Sequence, residues 1–169
     1  MSPRRARRKG GTLKDGERRQ LARATRDAAN PAPAPAPRGS AFVLCDGASR
    51  GNPGPSAIAA VLVEADGSES ARAVEAIGRA TAAAAEYRAI LLGLELAGAH
   101  GADPIDVCSD SRLAIAALEG AAPVDDELAA LVRDIRAAAR GFTAVRWRWH
   151  PRADNEAADA LVRDLLWSS

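Results

Sequence analysis

The pattern of apolar and polar positions predicts alternating strands and helices after residue 40. Short apolar runs bounded by glycine and proline are typical of strands, and longer alanine- and leucine-rich stretches without proline are typical of helices. The predicted elements are, in chain order, strands at 41–46, 56–64 and 69–77, a helix at 81–98, a strand at 104–109, helices at 111–119 and 125–139, a strand at 142–149 and a helix from Asp154. The later strands need crossover connections and are expected to run parallel, so the predicted fold class is α/β.

The first 40 residues do not follow this pattern. Residues 1–29 are rich in arginine and carry only a thin apolar stripe, so they are expected to be disordered or marginally helical. Residues 30–40 alternate alanine and proline, which is typical of a semi-rigid extended linker. The sequence therefore predicts a basic arm at 1–29, a linker at 30–40 and one folded domain at 41–169.

The net charge of +1 is unevenly distributed between these parts. Residues 1–40 hold 11 Lys and Arg against 3 Asp and Glu, a net charge of +8, whereas residues 41–169 hold 12 Arg against 19 Asp and Glu, a net charge of −7. A basic arm suggests a polyanionic partner, and an acidic domain fits either metal binding or simple solubility.

Membrane insertion and secretion are not predicted. The chain has no run of about 20 apolar residues, and no apolar stretch follows the N-terminal arginines. Cys45 and Cys108 are too few for a disulfide framework, and strand alternation puts them on opposite faces of the sheet. These features favour the cytoplasm.

Four carboxylates stand out by their positions. Asp46 ends the first strand before a glycine-rich turn, and Asp110 follows the fourth strand in the same way. Glu86 lies early in the first helix, and Asp159 lies one turn after Asn155 in the last helix. Carboxylates that gather in a poorly solvated site repel one another, and Mg²⁺ or Mn²⁺ would relieve that repulsion. From the pattern alone, the alternative is four unrelated structural or surface acids.

At these positions the sequence resembles the type I ribonuclease H family, over about residues 41–166. The motifs that carry the resemblance are DGASRGNPGP from Asp46, TAAAAEYRAILLGLELA from Thr81, Ser109-Asp110-Ser111, and NEAADAL from Asn155. The resemblance implies a five-stranded mixed sheet of order 3-2-1-4-5, flanked by helices. It also implies an endoribonuclease that cleaves the RNA strand of RNA–DNA hybrids with two metal ions, leaving 5′-phosphate and 3′-hydroxyl ends.

The resemblance further implies roles for individual residues. The metal ligands and catalytic carboxylates would be Asp46, Glu86, Asp110 and Asp159, holding Mg²⁺ or Mn²⁺. The residues expected to bind substrate are Gly51, Asn52, Gly54, Thr81 and Asn155. The less favoured alternative for the loop around Asn52 is a simple turn between strands. Thr81 is also expected to cap the helix that follows it. The domain is expected to act as a monomer.

Three features depart from the family pattern. Ala82 and Ala83 replace two asparagines associated with substrate contacts, which puts selectivity for the hybrid in doubt. The family's mobile catalytic histidine aligns with Trp149, so His150 is a catalytic candidate only if the loop shifts by one residue; otherwise it is an exposed loop histidine. The basic handle helix of some bacterial members is missing, and the arm at 1–29 is hypothesised to bind nucleic acid in its place.

Other conspicuous side chains have structural interpretations. Trp147 and Trp149 share one face of a strand, which favours a place in the core over base stacking, and the same interpretation is preferred for Trp167. His100 is expected to cap a helix end. Two other functions stay open: a nuclease of the same fold with another preferred duplex, such as double-stranded RNA, and a non-catalytic nucleic-acid-binding module.

Overall fold

Residues 40–168 are described by a computed structural model, and they form a sheet with helices on both faces. The strands are β1 (Ala41–Ser49), β2 (Gly54–Val63), β3 (Glu69–Ala80), β4 (Ile105–Ser109) and β5 (Val145–Trp149). The helices are α1 (Ala82–Ala99), α2 (Arg112–Leu118), α3 (Asp126–Ala139) and α4 (Glu156–Trp167), the last preceded by a short 3₁₀ turn at Arg152–Asn155. The predicted arm at 1–29 and the linker up to residue 39 lie outside the described residues.

The sheet has the order β3-β2-β1-β4-β5, as predicted. β1 pairs antiparallel with β2, and β2 pairs antiparallel with β3, whereas β4 lies parallel to both β1 and β5. The parallel register pairs Cys45 of β1 with Ser109 of β4. The residues that follow them, Asp46 and Asp110, therefore lie side by side at one edge of the sheet.

Strand alternation divides the core into two layers. Val43 and Cys45 point into the layer that contains the buried residues of α1 and α3, whereas Leu44 and Cys108 point into the layer that contains those of α4. Both cysteines are buried free thiols, and their placement in different layers confirms the prediction of opposite faces. Among residues 40–168, no helix combines the length and the apolar character that crossing a membrane requires.

Element boundaries differ from the predicted ones where local contacts outweigh the apolar pattern. β1 continues to Ser49 because the start of the glycine-rich stretch still pairs with β2. β5 begins at Val145 rather than at 142 because the Phe142 N–H donates to the carbonyl of Ala139 and Thr143 donates to Asp103. The α-helical part of the last helix begins at Glu156, after the 3₁₀ turn, rather than at Asp154.

Helix α1 lies unusually close to strand β1, and Gly47 allows this. A Cβ atom at Gly47 would lie 2.3 Å from the carbonyl carbon of Ala85 and 2.7 Å from the backbone nitrogen of Glu86. Real Cβ atoms essentially never come so close to backbone atoms. The absence of a side chain at residue 47 therefore brings Glu86 close to the edge of the sheet where Asp46 lies.

Candidate active site

Three of the four predicted metal ligands come together at one edge of the sheet. Asp46 lies within β1, Glu86 lies in the second turn of α1, and Asp110 directly follows β4. Each offers a carboxylate oxygen, and these three oxygens all lie within 4.8 Å of one another. Because three elements from distant parts of the chain supply them, this cluster depends on the complete fold.

The environment of Asp46 and Glu86 opposes their ionisation. Asp46 is only 3% exposed, and burial, followed by the charges of Asp110 and Asp159, raises its pKa from 3.8 to about 7. Burial, followed by the charges of Asp46 and Asp110, raises the pKa of Glu86 well above its ordinary value. The effect follows from placing like charges together where water solvates them poorly.

The donor atoms fit a hard divalent cation. Within residues 40–168, Oδ2 of Asp46 and Oε2 of Glu86 are buried and have no hydrogen-bond partner. A buried acceptor without a partner is costly, and a cation that binds these oxygens would remove both that cost and the mutual repulsion. Oxygen-only ligands of this kind suit Mg²⁺ or Mn²⁺.

Asp159, the fourth predicted ligand, is held by arginines in this conformation. It lies in the first turn of α4, is 5% exposed, and accepts hydrogen bonds from Arg152 on Oδ1 and from Arg163 on Oδ2, the latter at 2.9 Å. Its negative charge contributes to the raised pKa of Asp46. Asp159 therefore borders the three-carboxylate cluster without sharing in it here.

Arg152 is a residue of this site that the sequence analysis missed. Its positive charge lowers the pKa of both Asp46 and Glu86, against the larger effect of burial. The 3₁₀ turn before α4 carries it to the edge of the cluster. The available signal was its place in the same loop-and-helix motif as Asp159, seven residues earlier.

The predicted substrate loop is tied to the start of α1. The Oδ1 of Asn52 accepts a hydrogen bond from the backbone N–H of Ala82 at 3.0 Å, and the side chain of Asn52 is exposed. Thr81 is the N-cap of α1, as predicted, since its Oγ1 accepts from the Ala84 N–H at 3.1 Å. Gly51 is exposed with a φ of +104°, whereas Gly54 is buried against the Arg50 carbonyl. A surface of loop and helix start therefore flanks the carboxylates.

Asn155 does not fit its predicted role as a substrate-binding residue. Its side chain is fully buried, and its Nδ2 donates to the backbone carbonyl of Cys45 at 2.8 Å. A side chain without exposed surface cannot contact a substrate, and the hydrogen bond instead joins the start of α4 to β1 beside Asp46. Asn155 is therefore a structural residue that fixes the position of α4.

His150 does not join the carboxylate cluster. It is half-buried, and burial lowers its pKa, with smaller effects from Asp154, Arg148 and Asp106. Asp106, 1% exposed, is bound by Arg146 and Arg148 on the face of β5 opposite to the tryptophans. The charged groups that affect the pKa of His150 are therefore Asp154, Arg148 and Asp106, and none of the three clustered acids is among them. His100, by contrast, ends α1 and places Nδ1 2.9 Å from the Leu96 carbonyl, as predicted for a cap.

The two tryptophans of β5 have different surroundings. Trp147 packs against the core, as predicted. Trp149 is only partly buried, and its indole Nε1–H donates to the backbone carbonyl of Asp110 at 3.1 Å. Trp167 is 50% exposed, so it lies at the surface rather than in the core, and its structural interpretation stays a prediction.

Comparison with known proteins shows which family this chain resembles in sequence and fold. A family model described as "Reverse transcriptase-like" matches residues 44–165. Ribonuclease HI of Halobacterium salinarum is 42% identical over 132 residues, which make up 76% of this chain and 65% of that protein. The crystal structure of RNase H1 from the same archaeon is 41% identical with a TM-score of 0.74, and the match covers 78% of this chain and all of that one.

Two further solved structures are similar. The N-terminal RNase H domain of a Mycobacterium tuberculosis protein is 38% identical with a TM-score of 0.74, covering 77% of this chain and 95% of that one. LC11-RNase H1, solved in complex with an RNA/DNA hybrid, is 27% identical with a TM-score of 0.70, covering 74% of this chain and 95% of that one. The chain spans 65% of the curated archaeal relative and 35% of the bifunctional mycobacterial protein. Since family model, sequence identity and fold agree over the same residues, the chain belongs to the type I ribonuclease H family.

Proposed function

We propose that this protein is an endoribonuclease that hydrolyses the RNA strand of RNA–DNA hybrids with the help of divalent cations. The observation that carries the proposal is the cluster of Asp46, Glu86 and Asp110, with carboxylate oxygens within 4.8 Å of one another. Two buried oxygens of the cluster have no hydrogen-bond partner within the described part of the chain, and a bound cation would compensate for their burial. A relative of the same family was solved with an RNA/DNA hybrid, which supports the choice of substrate.

Asp46, Glu86 and Asp110 would hold the cations, with Asp159 joining them once it leaves its arginine partners. Two bound Mg²⁺ or Mn²⁺ ions would supply activation of the attacking water and stabilisation of the leaving 3′-oxygen. The phosphorus–O3′ bond of the RNA strand breaks, the water oxygen stays on the 5′-phosphate, and the freed end becomes a 3′-hydroxyl. The carboxylates take no covalent part in this reaction.

The remaining residues of the site would orient the hybrid and balance charge. Gly51, Asn52 and Thr81 form the surface beside the acids, where the backbone and the 2′-hydroxyls of the RNA strand would lie. Arg152, 54% exposed at its side chain, places a positive charge next to the cluster and is positioned to attract the phosphate. Exposed Ala82 and Ala83 offer only methyl groups at this surface. Fewer hydrogen bonds to the bases would therefore form there than with the two asparagines of the family pattern.

A substrate panel tests the proposal. The full chain is incubated with Mg²⁺ or Mn²⁺ and with an RNA–DNA hybrid, an RNA duplex or a DNA duplex of one sequence. Cleavage of the hybrid's RNA strand is expected, and it should disappear in Asp110→Asn but persist in Asp134→Asn, a matched change at an exposed acid of α3. Cleavage of the RNA duplex instead would identify a nuclease of different preference, and binding without cleavage would identify a non-catalytic module.

We further propose that the basic arm at 1–29 contacts the hybrid and compensates for the acidic domain. The separation of charge, +8 for residues 1–40 and −7 for residues 41–169, supports this role. A polyanion attracted to the arm would be brought to a domain that otherwise repels it. Action as a monomer and in the cytoplasm stays a prediction.

A further inference from the structure

We propose that Trp149 is a positioning residue for the metal site, because its indole N–H fixes the turn that carries Asp110. The proposal rests on the proposed function, in which Asp110 is a metal ligand. Nε1 of Trp149 lies 3.1 Å from the backbone oxygen of Asp110, and both groups are partly buried. A side chain on β5 thus holds the peptide of a residue that follows β4.

The register of the sheet places Trp149 level with this turn. β5 runs parallel to β4, and Trp149 is paired with Ser109, the last residue of β4. His150, the residue that follows β5, donates its backbone N–H to the Ser109 carbonyl at 2.9 Å. Two successive residues of one strand end therefore bind two successive carbonyls of the neighbouring one.

The far side of the turn is fixed as well. The Ser111 N–H donates to Oγ of Ser109 at 3.1 Å, and Oγ of Ser111 accepts from the Ala114 N–H and so caps α2. Arg112, the first residue of α2, places its guanidinium carbon 3.5 Å from the centre of the Trp149 ring. A cation over an indole face is favourable, so the ring is held while its N–H points at Asp110.

Asp110 needs such a restraint more than the other two acids do. Asp46 lies within a strand and Glu86 within a helix, whereas Asp110 lies on the turn between β4 and α2. Three carboxylates this close repel one another in the absence of a cation, and the acid on the least regular segment would be the first to move away. The hydrogen bond to its carbonyl opposes that movement and keeps the site assembled for the cation.

Trp147 provides the matched comparison. It lies on the same strand and the same face, two residues earlier, and packs against the core. If Trp149 contributed only to packing, replacement of either tryptophan by phenylalanine would lower stability and leave the affinity for cations unchanged. If Trp149 positions Asp110, only its replacement would weaken cation binding.

The experiment uses the full chain with the changes Trp149→Phe and Trp147→Phe. Calorimetric titration of the metal-free proteins with Mn²⁺ should show a dissociation constant raised roughly five-fold in Trp149→Phe, the effect of about one lost hydrogen bond. Trp147→Phe should bind Mn²⁺ like the wild type while unfolding more easily in EDTA. In hybrid cleavage, Trp149→Phe should need more Mn²⁺ for half-maximal rate, with the KM for hybrid unchanged.

A second variant isolates the N–H group itself. Substitution of 3-benzothienyl-alanine at 149 replaces the indole N–H with sulfur and keeps the size of the ring, so it should reproduce the weaker Mn²⁺ binding without the packing change. Equal Mn²⁺ dissociation constants in wild type and both Trp149 variants, or an equal increase in Trp147→Phe, would overturn the inference. A Trp149 effect on Mn²⁺ binding in a protein that cleaves no hybrid would support the inference and overturn the proposed function alone.

Discussion

At the scale of single residues, Asp46 combines two requirements that oppose each other. A metal ligand must be ionised, yet this carboxylate is almost fully buried between two other acids, which raises its pKa to about 7. Without a cation, the folded state therefore favours the protonated form of Asp46 more strongly than the unfolded chain does. The site is thus assembled at a cost in stability that bound cations would offset.

This cost predicts how the stability of the metal-free protein depends on pH. The pKa of Asp46 in the folded protein lies above the unfolded value of 3.8. The contribution of its protonated form to the free energy of unfolding is therefore fully present below about pH 3.8 and is lost as the pH rises through about 7. The loss is on the order of 4 kcal/mol, and Glu86 acts in the same direction. Denaturant unfolding in EDTA at several pH values measures it.

Asp46→Asn separates stability from activity. The amide cannot ionise, so the variant should be more stable than the wild type at pH 7 in EDTA, should lose part of the pH dependence, and should cleave no hybrid. Mg²⁺ should stabilise the wild type but not the variant. Asp134→Asn, at an exposed position, is expected to change none of these, and a wild type equally stable at pH 5 and pH 7 would contradict the account.

The position of Arg152 leads to a prediction about the pH dependence of cleavage rather than of stability. Its charge lowers the pKa of Asp46 and Glu86, so Arg152→Gln should leave both acids protonated to higher pH. Cation binding would then need a higher pH, and the acidic limb of the pH–rate profile should move toward alkaline pH. Hybrid cleavage is expected to fall several-fold near pH 6 and to recover toward the wild-type rate near pH 9.

Arg163→Gln is the matched control for this effect. Arg163 also binds Asp159 and is about as exposed as Arg152, at 58% against 54% of the side chain. It is not among the charges that lower the pKa of the clustered acids. An equal shift of the profile in both variants would show that release of Asp159, rather than charge near Asp46, controls it.

At the scale of elements, the site depends on how closely α1 approaches β1. Gly47→Ala would place a methyl group 2.3 Å from the backbone of Ala85, so α1 must move and carry Glu86 with it. The expected cost is about 1–3 kcal/mol in the free energy of unfolding, together with weaker Mn²⁺ binding. Denaturant unfolding and calorimetric titration measure the two effects.

Gly98→Ala tests whether any methyl group added to α1 or β1 weakens Mn²⁺ binding, as is expected for Gly47→Ala. Gly98 lies within α1, and a Cβ atom there would meet only the Phe142 ring at 3.7 Å, an ordinary contact. Alanine should therefore stabilise the helix by about 0.5–1 kcal/mol and leave Mn²⁺ binding unchanged. Weaker Mn²⁺ binding in Gly98→Ala would show that the site responds to helix packing in general.

The elements themselves could be predicted from the sequence where the pattern is set by burial. The strands around Cys45 and Cys108 have apolar runs bounded by turns, and both were found close to their observed positions. The order of the strands came from the family resemblance, since periodicity alone does not fix which strands are neighbours. The predicted start of β5 was wrong. Phe142 is apolar and so was assigned to the strand, but its backbone N–H donates to a carbonyl at the end of α3.

At the scale of the whole molecule, the fold brings three of the four predicted acids together. Asp46, Glu86 and Asp110 were predicted as neighbours, and their carboxylates do lie together. This could be predicted because an apolar run before a glycine-rich turn, and the start of a helix, give strong sequence signals. Arg152, Trp149 and Asn155 were missed or misjudged because their roles depend on which carbonyl or carboxylate lies opposite them. Such pairings follow from register and loop path, which a single sequence does not specify.

The charge separation between arm and domain predicts how hybrid affinity depends on salt. Each phosphate contact made by a cation contributes about 0.9 to the slope of log affinity against log salt concentration in duplex DNA. Replacement of the five cations at 4, 5, 7, 8 and 9 by glutamine in the full chain should therefore weaken hybrid binding at low salt and make this slope shallower. Fluorescence anisotropy with a labelled hybrid, in EDTA so that no cleavage occurs, measures the slope.

The control removes cations from the folded domain instead. Arg133→Gln with Arg140→Gln changes two exposed residues at α3 and its end, and should leave the salt slope unchanged if the arm makes the contacts. Because the arm's attraction is electrostatic, the arm variant and the wild type should approach the same affinity at high salt. Equal slopes for wild type and arm variant would contradict a nucleic-acid role for the arm, and the acidic domain would then have to hold its polyanionic substrate through the metal site and its own arginines alone.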